Sequence, residues 1–239
     1  IIYTDVKGIY TTDPKLIKNA KKINKISYEE MLEMASLGAK VMQPASIQEA
    51  RLNRIEIDVR STFSKTAGTM ITKKKNIFSN NTIRGISYTK NDAKLTLIGV
   101  KDKPGIAASI FKPLYENSIN VDMVVQNVSA GGKETDLTFT IKLEDLKKTE
   151  KLVKNNKYIN YRKLIINKNV SKVSIVGVGM ITTPGITYRM FKALAKKRIN
   201  IEVISTSEIK ISVLIDKKNL KKSVEILHQE FKLNNSLWI

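Results

Sequence analysis

The strongest constraint on how this chain folds is that its second half is written twice. Gly99, Pro104, Phe111, Leu114 and Asn120 recur as Gly179, Pro184, Phe191, Leu194 and Asn200, each pair 80 positions apart, as in 184 − 104. Around these anchors the two copies follow one plan. The first reads AKLTLIGV as a strand, PGIAASIFKPLYENSI as a helix, NVDMVVQNV and TDLTFTIKL as strands, EDLKKTEKLVKN as a helix and NYRKLIIN as a strand. The second repeats the order with SKVSIVGVG, PGITYRMFKALAKKRI, NIEVISTS, IKISVLID and NLKKSVEILHQEF. Alternating apolar residues mark the strands and stripes at i, i+3 and i+4 mark the helices. Two tandem βαββαβ units of ferredoxin-like α+β type are therefore expected. The pairing slips only at the hairpin, where SAGGKETD is longer than its counterpart.

In each copy Pro-Gly ends a loop and opens a helix. Proline suits the first helical turn because its missing N–H would go unsatisfied there anyway, and glycine lets another backbone or a ligand approach closely. The next amides are free to bind a carboxylate or phosphate. The following strand begins Asn120-Val121-Asp122 in one copy and Asn200-Ile201-Glu202 in the other. A sheet that set this strand start beside the helix start would make a small cavity, anion-binding at one end and polar or acidic at the other, suited to a free amino acid. Asp102 would favour an ammonium group where its counterpart Thr182 would not, so the two cavities are expected to be unequal. The plainer alternative stays open: a tight Pro-Gly turn, and asparagines that only terminate helices.

The first 72 residues alternate short strands and helices. IIYTDV and IEIDVRSTF read as strands, and KGIYTTDPK carries the punctuation of a loop. In SYEEMLEMASLG, Ser27 and Glu30 form a capping box, Met31, Leu32 and Ala35 make the apolar stripe and Gly38 supplies a left-handed stop. After Pro44, Ser46 and Glu49 form a second capping box opening a second helix. KKKNIFSNNTI, residues 73–83, is charged, Asn-rich and aperiodic, and reads as a linker. The expected division is 1–72, linker 73–83, first repeat 84–168 and second repeat 169–239.

Composition excludes several chemistries. With no cysteine and a single histidine, His228, the chain has no disulfide framework, no thiolate or histidine-cluster metal site and no Cys-His catalytic pair. No apolar run approaches the roughly 18 residues of a membrane span, and a soluble, cytoplasmic protein with no membrane partner is expected. The net charge of +20 raises nucleic acid as a partner, but the lysines are scattered over what read as solvated helix faces, with no aromatic-basic signature. No nucleic-acid partner is expected. The start at Ile1 inside a β-branched run, without a methionine, reads as one piece of a longer protein.

The strings DKPGIAASIF, INVDMVVQNVS, KVSIVGVGM and INIEVISTSEIKISVLI resemble the paired ACT regulatory domains of the aspartate kinase family, most closely its lysine- and threonine-controlled form. IYTDVKGIYTTDPK, ISYEEMLEMASLGAKVM and VRSTFSKTAGTMI resemble the last part of the family's amino-acid-kinase domain. The resemblance implies an α/β and α+β chain: the C-terminal part of an amino-acid-kinase domain, then two ACT domains. It implies transfer of the γ-phosphoryl of ATP, with Mg2+, to the side-chain carboxylate of aspartate, the first step toward lysine, threonine and methionine. It also implies feedback inhibition by lysine, threonine or both, and a homo-oligomer paired through ACT domains. Carried over by position, the nucleotide residues are Thr4, Asp5, Tyr10, Asp13, Pro14, Lys15 and Lys40. The effector residues are Asp102, Ala107, Asn120, Val121, Asp122 and Gln126 in the first unit. In the second they are Ile186, Thr187, Asn200, Ile201, Ser207 and Glu208. Lys15 departs from the family's usual arginine and lacks its bidentate fork, which implies weaker nucleotide binding. Asp5 and Asp13 also read as loop-capping acids. The family's N-terminal Lys-Phe-Gly-Gly-Thr-Ser loop and its aspartate-binding residues have no counterpart here, so no catalytic residue is assigned and this chain alone is not expected to turn over. A truncated kinase fits better than a stand-alone amino-acid-sensing regulatory subunit. KLNNSLWI is a weak closing strand, and the family leads one to expect IRGISYTK near residue 86 to cross over and close the second sheet instead.

Overall fold

The computed structural model describes residues 1–39, 41–73, 82–128 and 132–234. Two compact units form, one of Lys90–Ser171 and the other of Ile1–Thr89 with Lys172–Ile239. In chain order the elements are β1 (Ile2–Thr4), β2 (Lys25–Ser27), α1 (Tyr28–Ser36), α2 (Pro44–Leu52), β3 (Ile57–Ser61), β4 (Thr69–Thr72) and β5 (Gly85–Lys101). They continue with α3 (Ile106–Glu116), β6 (Val121–Val128), β7 (Glu134–Lys142), α4 (Leu146–Lys154), β8 (Lys163–Val176), α5 (Ile186–Lys196), β9 (Ile201–Thr206), β10 (Lys210–Asp216) and α6 (Leu220–Glu230).

The first 72 residues make a four-stranded sheet of order β1-β3-β4-β2, parallel at both edges and antiparallel between β3 and β4. Ile23, Ile26, Met31, Met34, Ile47, Val59 and Ile71 form its core under α1 and α2. The capping box at α1 is present, with Ser27 accepting from the Glu30 amide and Glu30 reaching back to the Ser27 amide, and Gly38 takes φ +110 just past the helix. The second box is not. α2 begins at Pro44, three residues before the Ile47 that a Ser46 cap would have made its first, and its cap residue Gln43 makes no side-chain bond. Proline at the first helical position brings a preset φ and no orphan N–H, so the helix starts there and not at Ser46.

β5 and β8 each join what the sequence suggested were two strands. IRGISYTK and AKLTLIGV are one strand of 17 residues, and NYRKLIIN runs into SKVSIVGVG as one of 14. The polar residues at the β5 joint do not break it, because Lys142 Nζ meets Asp92 Oδ1 at 3.1 Å from β7. The closing strand of the second repeat's sheet is thus the first part of β5, as the crossover expectation held: Gly85–Thr89 belongs to the same unit as Lys172–Asp216, where the order is β5-β8-β10-β9. In Lys90–Ser171 the order is β6-β7-β5-β8. The end of KLNNSLWI, the greater part of the linker and the first three residues of SAGGKETD lie outside the described residues.

Each repeat buries one face of its sheet under two helices, with Leu95, Leu97, Ile110 and Phe139 central in one and Val173, Ile175, Met190 and Val213 in the other. Pro113 sits inside α3 and cannot donate to the carbonyl of Ser109, four residues back. That carbonyl accepts instead from Asn156 Nδ2 at 2.9 Å, which is how the helix carries its proline. The helix starts differ from the expectation in one respect. α3 and α5 begin at Ile106 and Ile186, with Gly105 and Gly185 as caps at φ +86, so each proline precedes the cap and lies outside the first turn. The left-handed glycine makes the sharp turn into the helix. At Gly185 an added Cβ would meet nothing within 4 Å. Gly185→Ala is therefore expected to cost only the backbone strain, about 1 kcal/mol, read as a lower urea midpoint at unchanged slope.

Candidate functional site

A cavity of about 480 Å³ opens at the start of α5. One wall is the short turn Val178–Thr182, which contributes Met180 and Ile181; the other is the β9–β10 turn with Thr206, Ser207 and Glu208; Ile211 forms part of the lining. Gly185, Ile186 and Thr187 bring the helix start to it. The first amides of a helix have no partner within the helix and carry its positive end. The cavity thus joins amide and hydroxyl donors, an apolar wall and the carboxylate of Glu208. That combination suits a zwitterion, with its carboxylate at the helix start and its ammonium group toward Glu208.

Four effector residues carried over from the resemblance, Ile186, Thr187, Ser207 and Glu208, line this one cavity. Asn200 and Ile201 do not. β9 starts where α5 has just ended, so the strand start adjoins the helix C-terminus and only the strand's far end returns to Gly185. From Ile201 to Thr206 is about 16 Å along the strand. The expected corner of helix start plus strand start is therefore corrected: within one repeat the helix start meets the strand end. The first repeat shows the same arrangement. The Asp102 amide bonds the Lys133 carbonyl at 3.0 Å, placing the loop before α3 against the far end of the β6–β7 hairpin. Gln126 lies toward that end of β6, and Ala107 is the second residue of α3, packed against the core. Asn120, Val121 and Asp122 stand at the opposite end, with Val121 opposite Ile141.

Of the nucleotide residues of the resemblance, Thr4 and Asp5 lie at and just after the end of β1, and Tyr10, Asp13, Pro14 and Lys15 on the segment from Tyr10 to Lys22, two residues joined by an isolated bridge. Thr4 ends β1, and its carbonyl accepts from the Thr62 amide at 2.8 Å. Asp5, Pro14 and Lys15 are exposed, and Lys40 lies outside the described residues. Asp13 caps its loop, Oδ1 accepting from the Lys15 amide at 2.8 Å, and Oδ2 accepts from the Tyr88 hydroxyl at 2.8 Å. Burial and the Asp13 hydrogen bond and charge raise the Tyr88 pKa, so Tyr88 stays a donor. Next to Asp13's loop, buried Thr11 Oγ1 lies 2.9 Å from His228 Nε2 on α6. Burial lowers this imidazole from its ordinary 6.5 to about 4, and it is neutral at pH 7. Ile17 from the same loop packs in the core under α5 and α6.

Sequence reasoning found Glu30 as a cap but not its second role. Its Oε1 accepts from the Val178 amide at 3.1 Å, its Oε2 lies 3.5 Å from Arg84 Nε, and both side chains are almost fully buried. Tyr88, Thr11 and His228 were also missed; a lone histidine in the helix NLKKSVEILHQEF gave no sign of its partner.

The ACT domain family model matches residues 95–156 and 173–231, and the amino acid kinase family model matches residues 1–61. Aspartate kinase of Pseudomonas fluorescens is 45% identical over 235 residues, 98% of this chain and 57% of that protein. The chain thus spans a little over half the length of the curated relatives it matches. Among solved structures, aspartate kinase of Clostridium acetobutylicum superposes with a TM-score of 0.85 at 26% identity, covering 96% of this chain and 53% of that one. Aspartokinase III of Escherichia coli, in complex with lysine and aspartate, gives 0.77 at 26% identity over 96% of this chain and 51% of its own. With the repeat, both sheets and these matches in agreement, the chain belongs to the aspartate kinase family and contains its ACT domains.

Proposed function

We propose that this chain is the nucleotide-side and regulatory portion of an enzyme that transfers the γ-phosphoryl of ATP to the side-chain carboxylate of aspartate, and that lysine or threonine controls it by binding at the start of α5. In this reading residues 1–72 belong to the kinase domain, 73–83 link it to the regulatory half, and 84–168 and 169–239 are the two ACT domains. The observation that carries the regulatory part is the cavity, whose donors and lone carboxylate match the two charges of an amino acid. The catalytic part rests on the likeness to relatives named aspartate kinase over 98% of the chain. Lysine and aspartate in the Escherichia coli structure support the same ligand class.

The nucleotide would lie along Thr4, Asp5, Tyr10 and the Asp13–Lys15 loop, with lysine side chains as point charges toward the phosphates. Among the described residues no group of three or more acids or histidines fits a metal ion, so Mg2+ would arrive on the phosphates. Asn200 and Ile201 stand at the far end of β9, and a site using both ends of that strand would take them from a second copy of the chain. That favours a homo-oligomer paired through the ACT domains. A free-standing sensor is the weaker reading, because residues 1–61 match the amino acid kinase family.

Calorimetric titration of the chain with threonine and with lysine tests the regulatory part. At least one should bind with a millimolar or lower Kd, and Glu208→Gln should weaken it about tenfold or more by removing the ammonium partner. No heat from either amino acid at millimolar concentration would overturn the assignment.

A further inference from the structure

The two walls of the cavity are both held by one helix that is not part of either repeat. On one side the Val178 amide, first residue of the turn that carries Met180 and Ile181, donates to Glu30 Oε1 at 3.1 Å. On the other, Lys210 Nζ, at the start of β10 and next to the lining residue Ile211, pairs with Glu33 Oε2 at 3.0 Å. Glu30 and Glu33 are three residues apart on α1 and share a face. The walls are also tied to each other, the Gly177 amide donating to the Ile209 carbonyl at 3.0 Å.

From α1 the bonds continue toward the nucleotide loop. Glu30 Oε2 accepts from the hydroxyl and amide of Ser27, the last residue of β2, and β2 pairs with β4 at Ser27 and Thr72. At the start of β4, Thr69 Oγ1 accepts from the Ile9 amide at 2.8 Å and donates to the Ile23 carbonyl at 2.5 Å. Ile9 and Ile23 are themselves joined, Ile23 amide to Ile9 carbonyl at 2.8 Å. They bracket the loop that holds Tyr10, Asp13 and Lys15.

We propose that α1 relays the state of the α5 cavity to the nucleotide loop, with Glu30 and Glu33 as the positioning residues that each hold one wall. The proposal deepens the effector reading of this cavity and names how it is regulated. A ligand that moves either wall must pull a carboxylate of α1 or break its bond, and neither carboxylate lines the cavity.

Hydrogen exchange on the full chain, with and without ligand, tests the relay. Without ligand, Glu30→Gln removes the charge and leaves one acceptor oxygen where the carboxylate has two, and exchange at Val178–Thr182 should quicken about fivefold or more. The partly exposed pair provides the second variant: Glu33→Gln should quicken exchange around Lys210 with little change in Tm. With threonine or lysine bound to the unaltered chain, the amides of Met31–Leu37 should slow, and Glu33→Gln should weaken that response and shift the ligand Kd several-fold. Unchanged wall amides in both variants, with the fold intact, would overturn the relay, as would a calorimetrically bound ligand that leaves α1 unaffected. Failure of both amino acids to bind the unaltered chain would instead remove the effector reading, and the ligand-free exchange would still decide whether α1 and the walls are coupled.

Discussion

Glu30→Ala is expected to destabilise the chain by about 3–5 kcal/mol, the largest effect of any single side-chain truncation considered. The wild-type carboxylate accepts from the Ser27 amide at 3.2 Å, the Ser27 hydroxyl at 2.9 Å and the Val178 amide at 3.1 Å, and lies beside the Arg84 guanidinium. Truncation leaves buried donors without this acceptor and takes the carboxylate away from a cation that is only 4% exposed. An ordinary capping-box loss costs about 1 kcal/mol, so the excess measures what Glu30 does beyond the cap. Urea unfolding at neutral pH reads the difference, with Glu30→Gln as the isosteric comparison, which should cost less because its one carbonyl oxygen still accepts on one side, from Ser27 or from Val178. If Glu30→Ala costs no more than about 1 kcal/mol, the residue is only a cap, and the bond to Val178 carries no weight.

How much of this was written legibly in the sequence depends on how far each interaction reaches. The repeat was readable because period-two alternation in TDLTFTIKL and IKISVLID and the stripe of ITYRMFKALAKK record which face of each element is buried. The α1 capping box was readable because its partners are three residues apart. The same local rule failed at Ser46 and Glu49, where Pro44 offered an earlier start. The joints inside β5 and β8 were hidden because Asn91-Asp92 and Asn167 to Asn169 resemble turn signals, although neighbouring strands accommodate them. The family likeness, not the local pattern, pointed to β5 as the closing strand. For the cavity, the sequence marked Gly185 and its neighbours but misjudged their partner. Helix and following strand run antiparallel, so the strand start named by Asn200 is the wrong end. Glu30 to Val178 spans 148 residues and His228 to Thr11 spans 217, and no periodicity encodes such pairs.

That last pair gives the second large effect, in pH. His228 is 2% exposed, and burial lowers its folded-state pKa to about 4 from the 6.5 of an exposed imidazole. In the unfolded chain the ring takes up a proton below about pH 6.5, whereas the folded chain resists until about pH 4. Between those values the unfolded state binds more protons, so stability rises with pH there. The contribution is full above pH 6.5, falls as the pH drops and is lost below about pH 4. A depression of about 2.5 units corresponds to about 3 kcal/mol. Carboxylates titrate in the same range, so the quantity to measure is the difference between the chain and His228→Gln, by urea unfolding at several pH values from 7 to 4. Glutamine still offers Thr11 a hydrogen-bonding group but takes up no proton, and its stability curve should be flatter by about 3 kcal/mol over that window. Parallel curves would mean that the ring protonates in place, and that Thr11 and α6 are held together by packing alone. Non-parallel curves would make acid below pH 6 a means of loosening α6 from Thr11, two residues before Asp13.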